Sequence, residues 1–164
     1  MAVGDPPRRD VVFLDTSVLL AGLVDIGPAS APAQQVMHAV AERQVQAATA
    51  WHCCLEVYSV ATRLPPEYRL TPQDAARLLQ EEVFARMDIH DLPAADRVSF
   101  LMGLVQERIA GGRVYDAHIA EVARAAGATA IVTDNRRHFL AALRHGIRVD
   151  TPTEFLGSWK RHRG

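Results

Sequence analysis

The chain predicts an α/β fold in which a mainly parallel sheet is covered on both faces by helices. Short apolar runs rich in β-branched residues alternate with segments of helical periodicity. That alternation is the signature of strand–helix–strand units, whose crossovers set neighbouring strands parallel. Acidic residues stand directly after two of the runs, Asp15 after Val11-Val12-Phe13-Leu14 and Asp134 after Ile131-Val132-Thr133. Ligands of such sheets bind at the carboxyl ends of the strands, so both acids fall at that edge. With 164 residues the chain is expected to form a single domain over 1–164, with its core in about 10–155 and short tails at both ends.

Taken in order, Val11 to Leu14 reads as a buried strand. Asp15-Thr16-Ser17 can cap a helix through Val18-Leu19-Leu20, which Gly27-Pro28 breaks. Ala33 to Arg43 is amphipathic, and Val45 to Thr49 suits a second strand. Trp51 to Leu64 reads as a helix with a stripe of Cys53, Val57, Val60 and Leu64, Glu56 at its edge, and Pro65-Pro66 as the stop. Thr71-Pro72-Gln73-Asp74 starts a helix running to about Phe84. Met87 to Leu92 is a third strand, and Pro93 opens a helix to about Ile109. After the Gly111-Gly112 loop, Val114 to Ala126 repeats apolar residues at helical spacing until Gly127. Ala128 to Thr133 and Ile147 to Asp150 supply the fourth and fifth strands, and Thr151-Pro152-Thr153-Glu154 opens a last short helix. The tail from Trp159 to Arg163 is expected to be frayed and solvated, with contact to a bound partner as the alternative.

Composition narrows the function. Hydrophobic residues make up 49% and charged ones 23%, as in an ordinary globular protein rather than a disordered one. No apolar run reaches the roughly 18 residues of a membrane span. The polar start Met1 to Asp10 lacks the apolar segment of a leader peptide, so a cytoplasmic protein is expected. Cys53 and Cys54 are adjacent, a spacing that suits small core residues better than a zinc site or a disulfide. The seven histidines show no metalloprotease spacing. Net charge is −1 overall, yet residues 136–164 carry +5 against −6 for the remainder. A basic segment directly after the last acidic motif suits a polyanion lying across the site; a solvated surface is the plain alternative.

The chemistry rests on four acids far apart in the chain: Asp15, Glu56, Asp116 and Asp134. A carboxylate beside buried apolar residues is costly unless it is hydrogen-bonded, paired or metal-bound. Several such groups brought together repel, and a hard divalent cation relieves that repulsion, so a Mg²⁺ or Mn²⁺ site is expected. Taken singly, each has a plainer use. Asp15 and Asp116 could cap helices, Glu56 could pair with Arg63, and Asp134-Asn135 could form an ordinary turn. Thr16 and Ser17 are expected to support the ligands, and Arg136, Arg137 and His138 to hold phosphate or face solvent.

The pieces Phe13-Leu14-Asp15-Thr16-Ser17-Val18-Leu19-Leu20, Leu55-Glu56-Val57-Tyr58-Ser59-Val60-Ala61-Thr62-Arg63-Leu64-Pro65, Gly111-Gly112-Arg113-Val114-Tyr115-Asp116-Ala117 and Thr133-Asp134-Asn135-Arg136-Arg137-His138-Phe139 occur in that order. Together they resemble the PIN-domain ribonucleases, in particular the VapC-type toxins of toxin–antitoxin pairs. The resemblance implies a three-layer α/β/α sandwich and metal-dependent cleavage of single-stranded or looped RNA. It implies an RNA substrate, a cognate antitoxin and a homodimer as partners. The family's first three acidic positions carry over to Asp15, Glu56 and Asp116. Its last acid or Asn lies two residues after the strand-end Thr, which is Asn135 here; Asp134 stands one residue early, and both are carried forward. The metal set is then Asp15, Glu56, Asp116 and Asn135. An antitoxin helix is expected to lie in a groove around Leu19, Leu20, Val36 and Val40. Two competing readings are a catalytically weak PIN-like binding module and an aspartyl-phosphate phosphatase. The phosphatase wants a second Asp where Ser17 stands.

Overall fold

A computed structural model describes residues 10–163. Residues 1–9, most of the polar start read above as no leader, lie outside them. Strands β1 (Val11–Leu14), β2 (Gln46–Ala50), β3 (Asp88–His90), β4 (Ala130–Val132) and β5 (Arg148–Asp150) form one sheet in the order β3-β2-β1-β4-β5. Every pairing is parallel, with Phe13 opposite Ala48 on one side and Ile131 on the other. Successive strand residues point to opposite faces, yet Val12 to Leu14, Ala47 to Ala50 and all of β4 are buried. Both faces are therefore covered, as the parallel reading requires. The two edge strands are three residues each, which limits edge-to-edge association.

The helices are α1 (Thr16–Leu23), α2 (Ala31–Ala41), α3 (Trp51–Ala61), α4 (Pro72–Leu78), α5 (Arg97–Gln106), α6 (Arg113–Ala125) and α7 (Pro152–Arg163). A π-helical turn, Leu79–Phe84, prolongs α4, and a 3-10 segment, Arg136–His145, joins β4 to β5. Helix α4 starts where expected: the Thr71 hydroxyl accepts from Asp74 N–H, with Pro72 in the first turn. Helix α3 ends at Ala61, three residues before the predicted Leu64, and Thr62 turns its hydroxyl back onto the Tyr58 carbonyl. The chain from Trp159 to Arg163 continues α7 rather than fraying.

One expected surface is corrected. Leu19, Val36 and Val40 are at most 1% exposed because α1 packs along α2, so they belong to the core and form no open groove. Cys53 and Cys54 are buried as expected, and burial pushes their thiols up to about 11 and about 12, which makes both unreactive. Among the described residues no helix is long and apolar enough to cross a membrane.

The strand order reverses at β1. The chain leaves it toward β2 and β3, then returns to β4 on its other side. A crevice at the carboxyl ends of β1 and β4 follows from that switch, and it is where the site residues converge.

Candidate functional site

Asp15 continues β1 by one residue, its N–H donating to the Val132 carbonyl at 3.1 Å. It occupies the cap position of α1, but its side chain makes no cap bond. Instead Oδ2 accepts from Thr133 Oγ1 at 2.8 Å and Ser17 Oγ at 3.1 Å. The capping alternative for Asp15 is thus replaced by a hydroxyl-lined socket. Burial lifts its carboxyl above the ordinary value, the hydroxyl bonds pull it down, and the Glu56 charge lifts it further. The net direction is up, as for a carboxylate held in an apolar site without a counter-charge.

Thr133 and Ser17 also fasten the turn after β4. Thr133 Oγ1 accepts from Asn135 N–H at 3.0 Å, and Ser17 Oγ accepts from Asp134 N–H at 3.1 Å. Thr133 is fully buried and its N–H donates to the Asp150 carbonyl, so β1, β4 and β5 all hold this corner. Glu56 projects from the exposed face of α3, where Thr16 Oγ1 donates to Oε2 at 2.7 Å. No ion pair joins it to Arg63 among the described residues. Asp116 lies in the first turn of α6, half-buried, while Gly112 takes the cap position. Burial raises the Asp116 carboxyl, nearby His138 lowers it and Glu56 raises it; His138 Nδ1 is 3.4 Å from Oδ2.

Asp15, Glu56, Asp116 and Asn135 line one cleft of about 1560 Å³, with Arg113, Arg137, His138 and Arg144 also on its walls. Asp134 is exposed and is not among the lining residues. Of the basic residues singled out in the sequence, Arg137 and His138 face the cleft, whereas Arg136 pairs with Glu154 at 2.8 Å. His118 packs edge-on against Phe100 behind the wall, and burial lowers its basicity. Trp51 is 46% exposed beside Phe84, and Trp159 stacks on Phe155, both outside the cleft. A second hollow of about 1140 Å³ lies at the opposite edge, where Asp10, Gln46, Asp88 and Arg148 begin or precede strands; it contains none of the four candidate ligands.

Sequence reasoning missed the double role of Thr133. The available signal was a hydroxyl at a strand end directly before an acidic turn. It also missed the Tyr115–His52 ring pair on the cleft wall, for which an aromatic beside Asp116 was the only sign.

The donor set decides which metal would fit. Three carboxylates and an amide carbonyl are hard oxygen donors, suited to Mg²⁺ or Mn²⁺ and poorly suited to softer ions. Among the described residues no three His, Cys, Asp or Glu side chains already close around one point. The arrangement is a shared acidic cleft rather than a tight cage. That matches Mg²⁺, which keeps several of its waters and takes one or two carboxylates. The Glu56 charge bears unfavourably on both Asp15 and Asp116, the repulsion a cation would relieve.

A family model described as PIN domain matches residues 11–137. The ribonuclease VapC27 of Mycobacterium tuberculosis is 44% identical over 75 residues, 46% of this chain and 53% of that protein. The ribonuclease VapC40 of the same organism is 31% identical over 122 residues, 74% of this chain and 85% of that one. Among solved structures, the Mycobacterium tuberculosis VapC20 toxin, described as cleaving the sarcin-ricin loop, is similar with a TM-score of 0.59 and 18% identity. It covers 80% of this chain and 94% of its own.

Proposed function

Because the chain belongs to the PIN-domain family, we propose that it is a metal-dependent endoribonuclease acting as the toxin of a toxin–antitoxin pair. The observation that carries this reading is the gathering of Asp15, Glu56, Asp116 and Asn135 in one cleft at the sheet's switch point. Two relatives that bear the name ribonuclease support it.

Asp15, Glu56, Asp116 and the Asn135 side-chain carbonyl would hold Mg²⁺ or Mn²⁺. When bound, such a cation supplies a Lewis acid and lowers the pKa of a water. The remaining work falls to the chain. Thr133 and Ser17 fix the Asp15 carboxylate, and Thr16 fixes Glu56, so neither reorients as charge develops. Arg113 and Arg137 on the cleft walls bind the RNA phosphates flanking the scissile bond. Water then attacks in line with the leaving 3′ oxygen, leaving 3′-hydroxyl and 5′-phosphate ends. End-group analysis of the products tests this: 2′,3′-cyclic phosphates would mean that the RNA's own 2′-hydroxyl attacked.

The turn after β4 makes a sharper prediction. Asn135→Ala is expected to raise the Mg²⁺ concentration needed for half-maximal cleavage by roughly tenfold, and Asn135→Asp to hold or lower it. Asp134→Ala should matter less, since Asp134 lies off the cleft wall. Loss of activity in Asp134→Ala with Asn135→Ala intact would reverse the two roles.

The cognate partner in this reading is an antitoxin protein, and the chain itself pairs with a second copy. Helix α5 exposes Val98, Leu101, Met102 and Val105 at 72%, 59%, 54% and 69%, a stripe at helical spacing. A second copy covering that stripe would remove it from water. Light scattering should give a dimer for the native chain and a monomer for Val98→Glu/Val105→Glu. A native monomer at micromolar concentration contradicts the pairing.

A further inference from the structure

One wall of the acidic cleft is aromatic, and metal-dependent cleavage leaves that wall without a task. Tyr115 directly precedes Asp116 on α6, and its ring lies against His52 of α3, with centroids 5.3 Å apart and planes 7° from parallel. Behind this pair His118 meets His52 edge-on at 6.1 Å, and Phe100 of α5 meets His118 edge-on at 5.9 Å. Rings from three helices therefore hold the stack in place. Tyr115 nevertheless remains 58% exposed. His52 lies stacked against one side of the ring, and the residue stays open in the cleft it lines. If the tyrosine served only to pack α6 against α3, burying the ring would be the favourable arrangement.

Tyr115 and His52 line the same cleft as Asp15, Glu56 and Asp116, together with Arg113 and Arg137. A flat aromatic face beside cationic side chains is the combination that binds single-stranded nucleic acid: rings stack on bases while cations take the phosphates. In a duplex both faces of a base are already covered by its neighbours, so such a ring serves only an unpaired base.

We propose that Tyr115, backed by His52, is a stacking platform for an unpaired nucleobase of the RNA next to the bond that is cut. This inference rests on the ribonuclease reading of the same cleft. Tyr115 acts here as a substrate-binding residue that sets the bound strand's position relative to Asp116. Because every base offers a π-face, the platform selects unpaired over paired RNA and does not read sequence.

The test uses Asp15→Asn as a cleavage-silent background and measures binding of a labelled single-stranded oligoribonucleotide by fluorescence anisotropy. Tyr115→Ala is expected to weaken binding by about 5- to 150-fold, whereas Tyr115→Phe and Tyr115→Trp retain it. His52→Ala falls between them. An abasic position walked along the oligonucleotide should reproduce the loss at one place only, and Tyr115→Ala should add nothing to it there; a purely structural role would not show that non-additivity. Binding of a duplex of equal length should not change. If circular dichroism shows Tyr115→Ala to be unfolded, Tyr115→Leu takes its place, since it keeps bulk without a π-face. Equal binding of the single strand by folded Tyr115→Ala or Tyr115→Leu overturns the platform alone. No RNA binding by Asp15→Asn, with no cleavage by the native chain, overturns the ribonuclease reading and the platform with it.

Discussion

Asp15→Asn is expected to lower RNA cleavage by more than about 100-fold, beyond the loss typical of residues that only support a metal ligand, while the metal-free protein melts at a higher temperature. Both effects come from one carboxylate that is 5% exposed. Its folded-state value is raised, chiefly by burial. The cost of ionising it is absent below the ordinary carboxyl range, sets in above that range and grows until the raised value is passed, so this group lowers metal-free stability as pH rises. Asn keeps a side-chain oxygen for Thr133 and Ser17 and removes the charge. Activity and metal-free stability should therefore move in opposite directions. Adding Mg²⁺ should raise the melting temperature of the native chain more than that of the variant, because a ligand stabilises only the folded state that binds it. Thermal scans with and without Mg²⁺, set beside a cleavage assay, check this. Unchanged activity, or an unaltered metal-free melting temperature, would remove Asp15 from the centre of the site.

Thr133→Val should produce the second-largest effect. The substitution keeps shape and strand propensity but deletes a hydroxyl that donates to Asp15 and accepts from Asn135 N–H. Of its two hydroxyl partners the buried Asp15 carboxylate keeps Ser17 alone, a loss of about 1–3 kcal/mol, while the N–H of exposed Asn135 turns to water. Asp15 and the Asn135 turn lose their common tether, so the Mg²⁺ requirement should rise by about 10- to 100-fold. Thr133→Ser keeps the hydroxyl and should behave nearly as the native chain. Chemical denaturation and a Mg²⁺ titration of cleavage measure the two effects. A valine variant with a native Mg²⁺ requirement would mean that the tether does not position the site.

The sheet was legible because its strands are buried on both faces and read as short apolar runs. Four of the five expected runs contain their observed strand whole, and β2 runs one residue past the expected Val45 to Thr49, to Ala50. Asp15 was legible for a related reason: a carboxylate has little cause to follow Val-Val-Phe-Leu unless it has work at the sheet edge. The segment Arg136–His145 was not foreseen as helical. It is a 3-10 stretch kinked at Phe139, and its apolar residues fall in one short block from Phe139 to Leu143 inside a ten-residue segment, too short to stand out as a helix.

Which apolar face meets which partner was equally hidden. Leu19, Val36 and Val40 resemble a groove in sequence, but α1 and α2 bury them against each other, and the open stripe is on α5. Amphipathicity reports that a face seeks cover, not what covers it. At the site, the residue types and order were readable, but the orientation of Asp134 and Asn135 was not. It depends on a turn held by Thr133 and Ser17, and Thr133 lies 118 positions from the Asp15 carboxylate it meets. Such contacts exist only once β1 and β4 are paired.

The most direct measurement of the central claim is single-turnover cleavage of one labelled single-stranded RNA by the purified chain across a Mg²⁺ titration, with Asp116→Asn prepared and assayed in parallel. The native chain should cut with a rate that rises and saturates with Mg²⁺ and vanishes in EDTA, while Asp116→Asn stays at baseline throughout. Cleavage that persists in EDTA, or an Asp116→Asn chain that cuts at the native rate, would contradict a metal-dependent ribonuclease built on this acidic cleft.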